Sequence, residues 1–190
     1  EETTAVIGDN TTIREFVTVN RGTKDKYTTK VGSDCLIMAY AHIAHDCEVG
    51  DGCILANGVT LAGHVKIGDY ANIGGLTAIP QFISIGSHTY IAGGAFVRKD
   101  IPPFIKAAKE PISYMGVNSV GLRRRGFTNE KINEIQEIYR IFYLKGHNTS
   151  QAIEIIETEM KPSPERDEIL MFMNLCKKGI MKKNSNDSSD

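Results

Sequence analysis

Val31-Gly32-Ser33-Asp34-Cys35-Leu36, Ile37-Met38-Ala39-Tyr40-Ala41-His42, Ile43-Ala44-His45-Asp46-Cys47-Glu48 is the stretch that decides the fold. An aliphatic residue opens each group of six. The pattern continues through Val49, Leu55, Leu61, Ile67, Ile73, Ile79, Ile85, Ile91 and Val97. With Val, Ile and Leu near a quarter of residues, twelve in succession at one spacing is about a one-in-ten-million event. The second place is often small, as at Gly32, Ala44, Gly50, Ala62 and Gly74. The fifth is small or β-branched, as at Cys35, Ala41, Cys47, Cys53, Val59, Val65 and Thr77. A six-residue period is the signature of a parallel β-helix in which each hexad is a short strand and a turn. Three hexads close one triangular coil, so residues 18 apart stack. One coil cannot bury its own core, and residues 31–100 supply about four.

Upstream, Ile7, Ile13 and Val19 continue the period, which lapses through the polar stretch Lys24–Lys30, read as a protruding loop. Downstream, Pro102-Pro103 ends the repeat and a connector follows over 104–127. Thr128 predicts the cap of a helix reaching Lys145, with Gly146 as its stop and Ile132, Ile135, Ile138, Tyr139 and Phe142 as one apolar stripe. Thr149 predicts a second cap, with Ile153, Ile156 and Met160 inward. Ser163-Pro164 opens a third helix that reaches about Lys178, before Gly179. The expected organisation is a β-helix over 1–103, the connector, a three-helix domain over 128–179 and a disordered tail over 180–190.

Composition narrows the function classes. The 190 residues are 41% hydrophobic and 24% charged, too apolar for a mostly disordered chain. No run of about 18 uncharged apolar residues occurs, so no membrane span is expected. A net charge of −1 gives no support to nucleic-acid binding. No GxGxxG or GxxxxGK[ST] motif is present, which leaves dinucleotide and P-loop readings without support. Cys35, Cys47 and Cys53 share the inward hexad place and read as small buried hydrophobes rather than zinc ligands. The chain opens on Glu1 rather than Met, within the repeat, and residues are expected before it.

Polar residues that recur on one flank of a prism are candidates for chemistry. His45, Gly63 and Gln81 follow one another at 18, with His42 and His64 beside that line. A His beneath a Gly has room in front of it, and an imidazole with a pKa near 6.5 suits a general base. Asp46 could orient His45, and the Gly63 N–H could face a developing oxyanion. Three His within 23 residues also allow a metal site, and surface histidines without a role remain a third reading. Asn57, Gly75 and Gly93 form a second line. It reads either as a groove for an extended apolar chain or a pantetheine arm, or as turns that need Gly for positive φ. Arg123-Arg124-Arg125 suits phosphates, or is a solvated face.

Several of these strings resemble one family. Ala41-His-Ile-Ala-His-Asp46, Ile54-Leu-Ala-Asn57, Leu61-Ala-Gly-His64, Ile73-Gly-Gly75 and Gln81-Phe82 are similar to the UDP-N-acetylglucosamine O-acyltransferases. So are Gly116-Val-Asn118 and Gly121-Leu-Arg-Arg-Arg-Gly-Phe127, and the resemblance covers Ile7 to Cys176. It implies a β-solenoid, a left-handed parallel β-helix followed by a small C-terminal α-helical domain. It implies a cytoplasmic homotrimer with active sites between subunits, and no metal or bound cofactor. The implied reaction moves a 3-hydroxyacyl group from acyl carrier protein to the 3-hydroxyl of UDP-N-acetylglucosamine, at the start of lipid A biosynthesis. His45 matches the family's base, Asp46 its partner and Gly63 its oxyanion donor. His42, His64, Gln81, Asn118, Arg124 and Arg125 match sugar-nucleotide contacts. Gly93 matches the acyl-chain ruler, with Gly75 in the same groove. The chain departs from the pattern at Pro80, Val120, Asn20 and Pro111, where members carry His or Glu. The resemblance also implies that roughly the family's first three or four coils, which supply substrate contacts from the neighbouring subunit, are missing from this sequence. Two alternatives stay open: a same-fold acyltransferase with an amine acceptor, and a zinc-binding carbonic-anhydrase-like β-helix.

Overall fold

In the computed structural model, which describes residues 2–183, each hexad becomes a two-residue strand followed by a corner. The strands stack into three parallel faces. One face holds Thr4–Ile7, Thr28–Val31, Glu48–Val49, Lys66–Ile67 and Ser84–Ile85. The second holds Thr12–Ile13, Leu36–Ile37, Ile54–Leu55, Asn72–Ile73 and Tyr90–Ile91. The third holds Thr18–Val19, His42–Ile43, Thr60–Leu61 and Ala78–Ile79. Their winding is the left-handed parallel β-helix. Pairings such as Ile43 with Leu61 and Leu55 with Ile73 fix the 18-residue step. Between the first and second coils the step is 24, with Thr4 opposite Thr28 and Thr18 opposite His42. The polar loop therefore adds six residues to one coil without moving the register above it.

The period works because it sends one aliphatic per strand inward. All twelve from Val31 to Val97 are buried, most of them completely. Burying each such side chain is worth about 1.5–3 kcal/mol. Cys35, Cys47 and Cys53 are buried with them, each thiol pointing at a carbonyl: Gly50, Ala62 and Gly68 respectively. Ile7 and Ile13, which precede the polar loop, are exposed.

The corners repeat with the same period. Asp34, Tyr40, Asp46, His64, Tyr70, Leu76, Phe82 and His88 all sit at φ between 54° and 66°, the left-handed region. A non-glycine residue there is strained, and two interactions offset the cost. Apart from Asp46, each of these corner N–H groups donates to a carbonyl one coil below, as from His64 to His45, Tyr70 to Asp51 and Leu76 to Asn57. The side chains also stack along each edge: His64 on Phe82, Tyr70 on His88, Phe16 on Tyr40.

The second half closes one end of the prism. Pro102-Pro103 does not end the stack as the sequence suggested. Ile105–Ala108 pairs in parallel with Tyr90–Ile91, and Ser113–Val117 folds back antiparallel on it. The prolines are tolerated because rung hydrogen bonds fall on either side of them, at Ile101 and Phe104. The connector is thus a hairpin and a short helix, α1 (Ser119–Arg124). Three helices follow: α2 (Asn129–Leu144), α3 (Thr149–Glu159) and α4 (Pro164–Leu175).

Thr128 and Ser163 cap α2 and α4 as expected. The α3 cap is Asn148, one residue before the expected Thr149, because Asn148 and Gln151 form a reciprocal capping box. Ile132, Ile135, Ile138, Tyr139 and Ile141 are the buried face of α2, with Phe142 only half-buried. Tyr139 is completely buried and donates to the Pro103 carbonyl at 2.6 Å, tying α2 to the prism. The expected tail also begins too early: Ile180 bridges to Asp100 and Met181 is buried, with its carbonyl accepting from Tyr143. Residues 184–190 of that predicted tail lie outside the described residues. Among the described residues no helix is long and apolar enough to cross a membrane.

Candidate active site

The corner between the third and first faces carries Asp46, His64 and Phe82, with His45, Gly63 and Gln81 one residue before each. His45 and His64 meet edge to face at 5.2 Å, and His64 stacks on Phe82 at 4.7 Å. His45 Nδ1 lies 2.9 Å from Asp46 Oδ2. Asp46 is ionised, so Nδ1 carries the proton and Nε2 is the basic nitrogen. A Cβ built on Gly63 would fall 2.7 Å from that Nε2. Gly63 is not at positive φ, so the position needs the missing side chain rather than backbone freedom.

The Asp46 side chain has no solvent exposure. Burial would raise its pKa, but the Thr23 hydroxyl, His45, the Thr23 N–H and nearby His64 outweigh it and hold the carboxyl at about 2. Thr23 N–H donates to Oδ1 at 2.8 Å and its hydroxyl to Oδ2 at 2.5 Å. Asp46 N–H donates to Thr29 Oγ1 at 2.8 Å. His64 Nε2 lies 3.6 Å from Asp46 Oδ2, and its Nδ1 3.5 Å from Asp25. The polar loop is therefore folded over the site rather than simply protruding. Thr23, Asp25 and Thr29 were not picked out by the period. Their signal was the loop itself: 24 residues before Asp46 stands Gly22, next to Thr23.

His45, Asp46 and His64 place potential ligand atoms within 4.8 Å of one another, so they are the residues that could hold a metal ion. Both Asp46 oxygens already accept hydrogen bonds, and an ion would have to displace Thr23 or His45. The set fits proton transfer without rearrangement.

The other candidates are spread over the prism. His42 lies on the third face beside the site, its Nδ1 2.7 Å from Thr18 Oγ1, and Gln81 is exposed one coil above Gly63. Gly75 and Gly93 lie near the opposite end of the third face. Neither has positive φ, which sets aside the turn explanation. A Cβ on Gly93 would approach the Gly75 carbonyl to 3.0 Å, and one on Gly75 the Asn57 carbonyl to 3.1 Å. Asn118, Arg124 and Arg125 are not brought to His45 within one chain. Asn118 caps α1 and donates to the His88 carbonyl, and Arg125 donates to the Tyr70 carbonyl while lying over that ring. Arg124 is exposed on the last turn of α1. A separate cleft of about 260 Å³ lies at the C-terminal end, between Phe96, Pro111, Ile112 and Met181. It is away from His45, whose ring stands in an open notch with 36% of the side chain exposed.

Residues 100–181 match the family described as UDP N-acetylglucosamine O-acyltransferase, domain 2, and residues 28–63 match the bacterial transferase hexapeptide repeats. An acyl-[acyl-carrier-protein]–UDP-N-acetylglucosamine O-acyltransferase from Janthinobacterium sp. is 44% identical over 187 residues, 96% of this chain and 71% of that protein. The chain belongs to the UDP-N-acetylglucosamine O-acyltransferase family. A second member of that family, from Herminiimonas arsenicoxydans, is 45% identical over the same shares. The crystal structure of a UDP-N-acetylglucosamine acyltransferase from Bacteroides fragilis matches with a TM-score of 0.94 and 47% identity, covering 96% of this chain and 71% of that one. The family likeness thus runs through prism and helices alike.

Proposed function

We propose that this chain transfers a 3-hydroxyacyl group from acyl carrier protein to the glucosamine 3-hydroxyl of UDP-N-acetylglucosamine, at the start of lipid A biosynthesis, with His45 as the general base. The observation that carries the reading is His45 held by Asp46 through Nδ1, with Nε2 over the open face of Gly63. Nε2 takes the sugar hydroxyl proton as its oxygen bonds to the thioester carbonyl carbon. The Gly63 N–H stabilises the tetrahedral oxyanion. The carbon–sulfur bond then breaks, and His45 returns the proton to the departing thiolate. Asp46, ionised and buried, stabilises the imidazolium between these steps. No resident cofactor is required, because the phosphopantetheine arrives with the donor.

The same reading assigns His42, His64 and Gln81 to the sugar nucleotide and the Gly75–Gly93 line to the acyl chain. Asn118, Arg124 and Arg125 lie on another edge of the same prism, and a cytoplasmic homotrimer lets a neighbour's edge complete the notch. Basic residues of the helical part are read as the landing surface for the acidic carrier protein.

The experiment incubates the purified enzyme with UDP-N-acetylglucosamine and 3-hydroxyacyl carrier proteins of graded chain length, reading products by mass. A 3-O-acylated sugar nucleotide is expected, with kcat reduced by about 10²–10⁴-fold in His45→Ala. Absence of product with every donor, or product formed only from a 3-amino sugar nucleotide, overturns the reading.

A further inference from the structure

We infer that Thr23, at the root of the six-residue insertion, is the positioning residue of the site: it clamps both oxygens of Asp46 so that Oδ2 stays aligned with His45 Nδ1. The inference rests on the reading of His45 as base. Three observations carry it. Among the described residues, Thr23 is the one that bonds both carboxylate oxygens, through its N–H to Oδ1 and its hydroxyl to Oδ2. The hydroxyl oxygen also accepts the Asp25 N–H at 3.3 Å, which leaves its single proton for Asp46. The loop is pinned where Thr23 needs it, by Gly22 N–H to Thr4 and Tyr27 N–H to the Thr23 carbonyl.

Without the hydroxyl, Oδ2 keeps only His45 and the more distant His64, at 2.9 and 3.6 Å. A carboxylate with one anchor fewer swings about its χ2 torsion, which is broad and roughly two-fold. The imidazole it holds then loses alignment with the acceptor hydroxyl. The hydrogen bonds that Thr23 donates from its N–H and hydroxyl go to Asp46, so its effect on His45 passes through Asp46. The insertion is thereby part of the catalytic apparatus, and Thr29 completes the cradle by accepting the Asp46 N–H.

The test uses Thr23→Val, Thr23→Ala and Thr23→Ser in the whole enzyme, alone and combined with Asp46→Asn, with steady-state kinetics and thermal melts. Thr23→Val and Thr23→Ala are expected to lower kcat about tenfold, with KM for the sugar nucleotide changed less than about twofold. Thr23→Ser, which keeps the hydroxyl, is expected to recover most of the rate. In the Asp46→Asn background the same substitutions are expected to cost less than about twofold further. A role confined to loop folding would lower the melting temperature, leave Ser and Val alike, and add fully to Asp46→Asn. That pattern, or undiminished kcat in Thr23→Val, overturns the inference. Loss of product in the unsubstituted enzyme would instead overturn the reading of the reaction.

Discussion

At the scale of single residues, the site depends on where a side chain is missing as much as on where one is present. The place above His45 is empty because Gly63 has no Cβ, and a Cβ there would press on the ring at 2.6–2.7 Å. Gly63→Ala is expected to push the imidazole aside and lower kcat by about a hundredfold, with the melting temperature little changed. Retention of the wild-type rate would mean that Nε2 does not work over this face. The contrast with Gly93 is instructive. Its nearest contact would be the Gly75 carbonyl at 3.0 Å, so a side chain there presses on the backbone of the coil below and leaves the base untouched.

At the scale of elements, the strands were legible and the corners were not. Aliphatic residues at every sixth place announce the buried half of each strand. The left-handed corner residues recur at the same spacing, yet Tyr70, Leu76 and Phe82 are not residues that favour positive φ, so no propensity points to them. They are held by stacking and by hydrogen bonds to the coil below, which a linear reading does not display. Thr23 escaped for a related reason: it sits in the one segment that breaks the period. His45, Asp46 and Gly63, the residues proposed for catalysis, could be picked out because they recur with that period.

One corner column has a measurable consequence. His88 is stacked between Tyr70 and Phe104, meets Phe127 edge-on, and its Nδ1 has no hydrogen-bond partner among the described residues. Burial, with Arg125 nearby, pushes its pKa down to about 4 from an unfolded value near 6.5. The unfolded chain therefore binds the proton first as pH falls. This contribution to stability is complete above about pH 6.5 and drains away as pH approaches 4. His88→Phe keeps the stack and removes the titration. Urea unfolding of this variant is expected to lose part of its dependence on pH between 6.5 and 4. A slope identical to that of the parent would show that the imidazole is not the group responsible.

At the scale of the whole molecule, the candidate residues fall on different edges of one prism. His45, Asp46 and His64 share an edge, while Asn118 and Arg125 are tied to the column of Tyr70 and His88. The edge between them carries Phe16, Tyr40 and Leu76 at 73%, 65% and 77% exposure, an apolar row for a single chain to leave in water. Light scattering is expected to return about three times the mass of one chain. A monomer with full activity would require one prism to gather all its contacts alone.

The 18-residue step also makes the molecule a counting device. Each coil fixes the angular setting of every coil above it, so a residue removed between Asp46 and Gly63 would rotate the upper threads of the screw and carry Gly63 off His45. Residues added to the loop of the 24-residue coil leave the thread unturned, because both ends of that loop return to the same rung. The stack therefore keeps its register through a change of length at this corner, provided Thr23 still reaches Asp46. The place where the fold can absorb new sequence is also the place that reaches over the base, so the enzyme can be retuned there without being rewound.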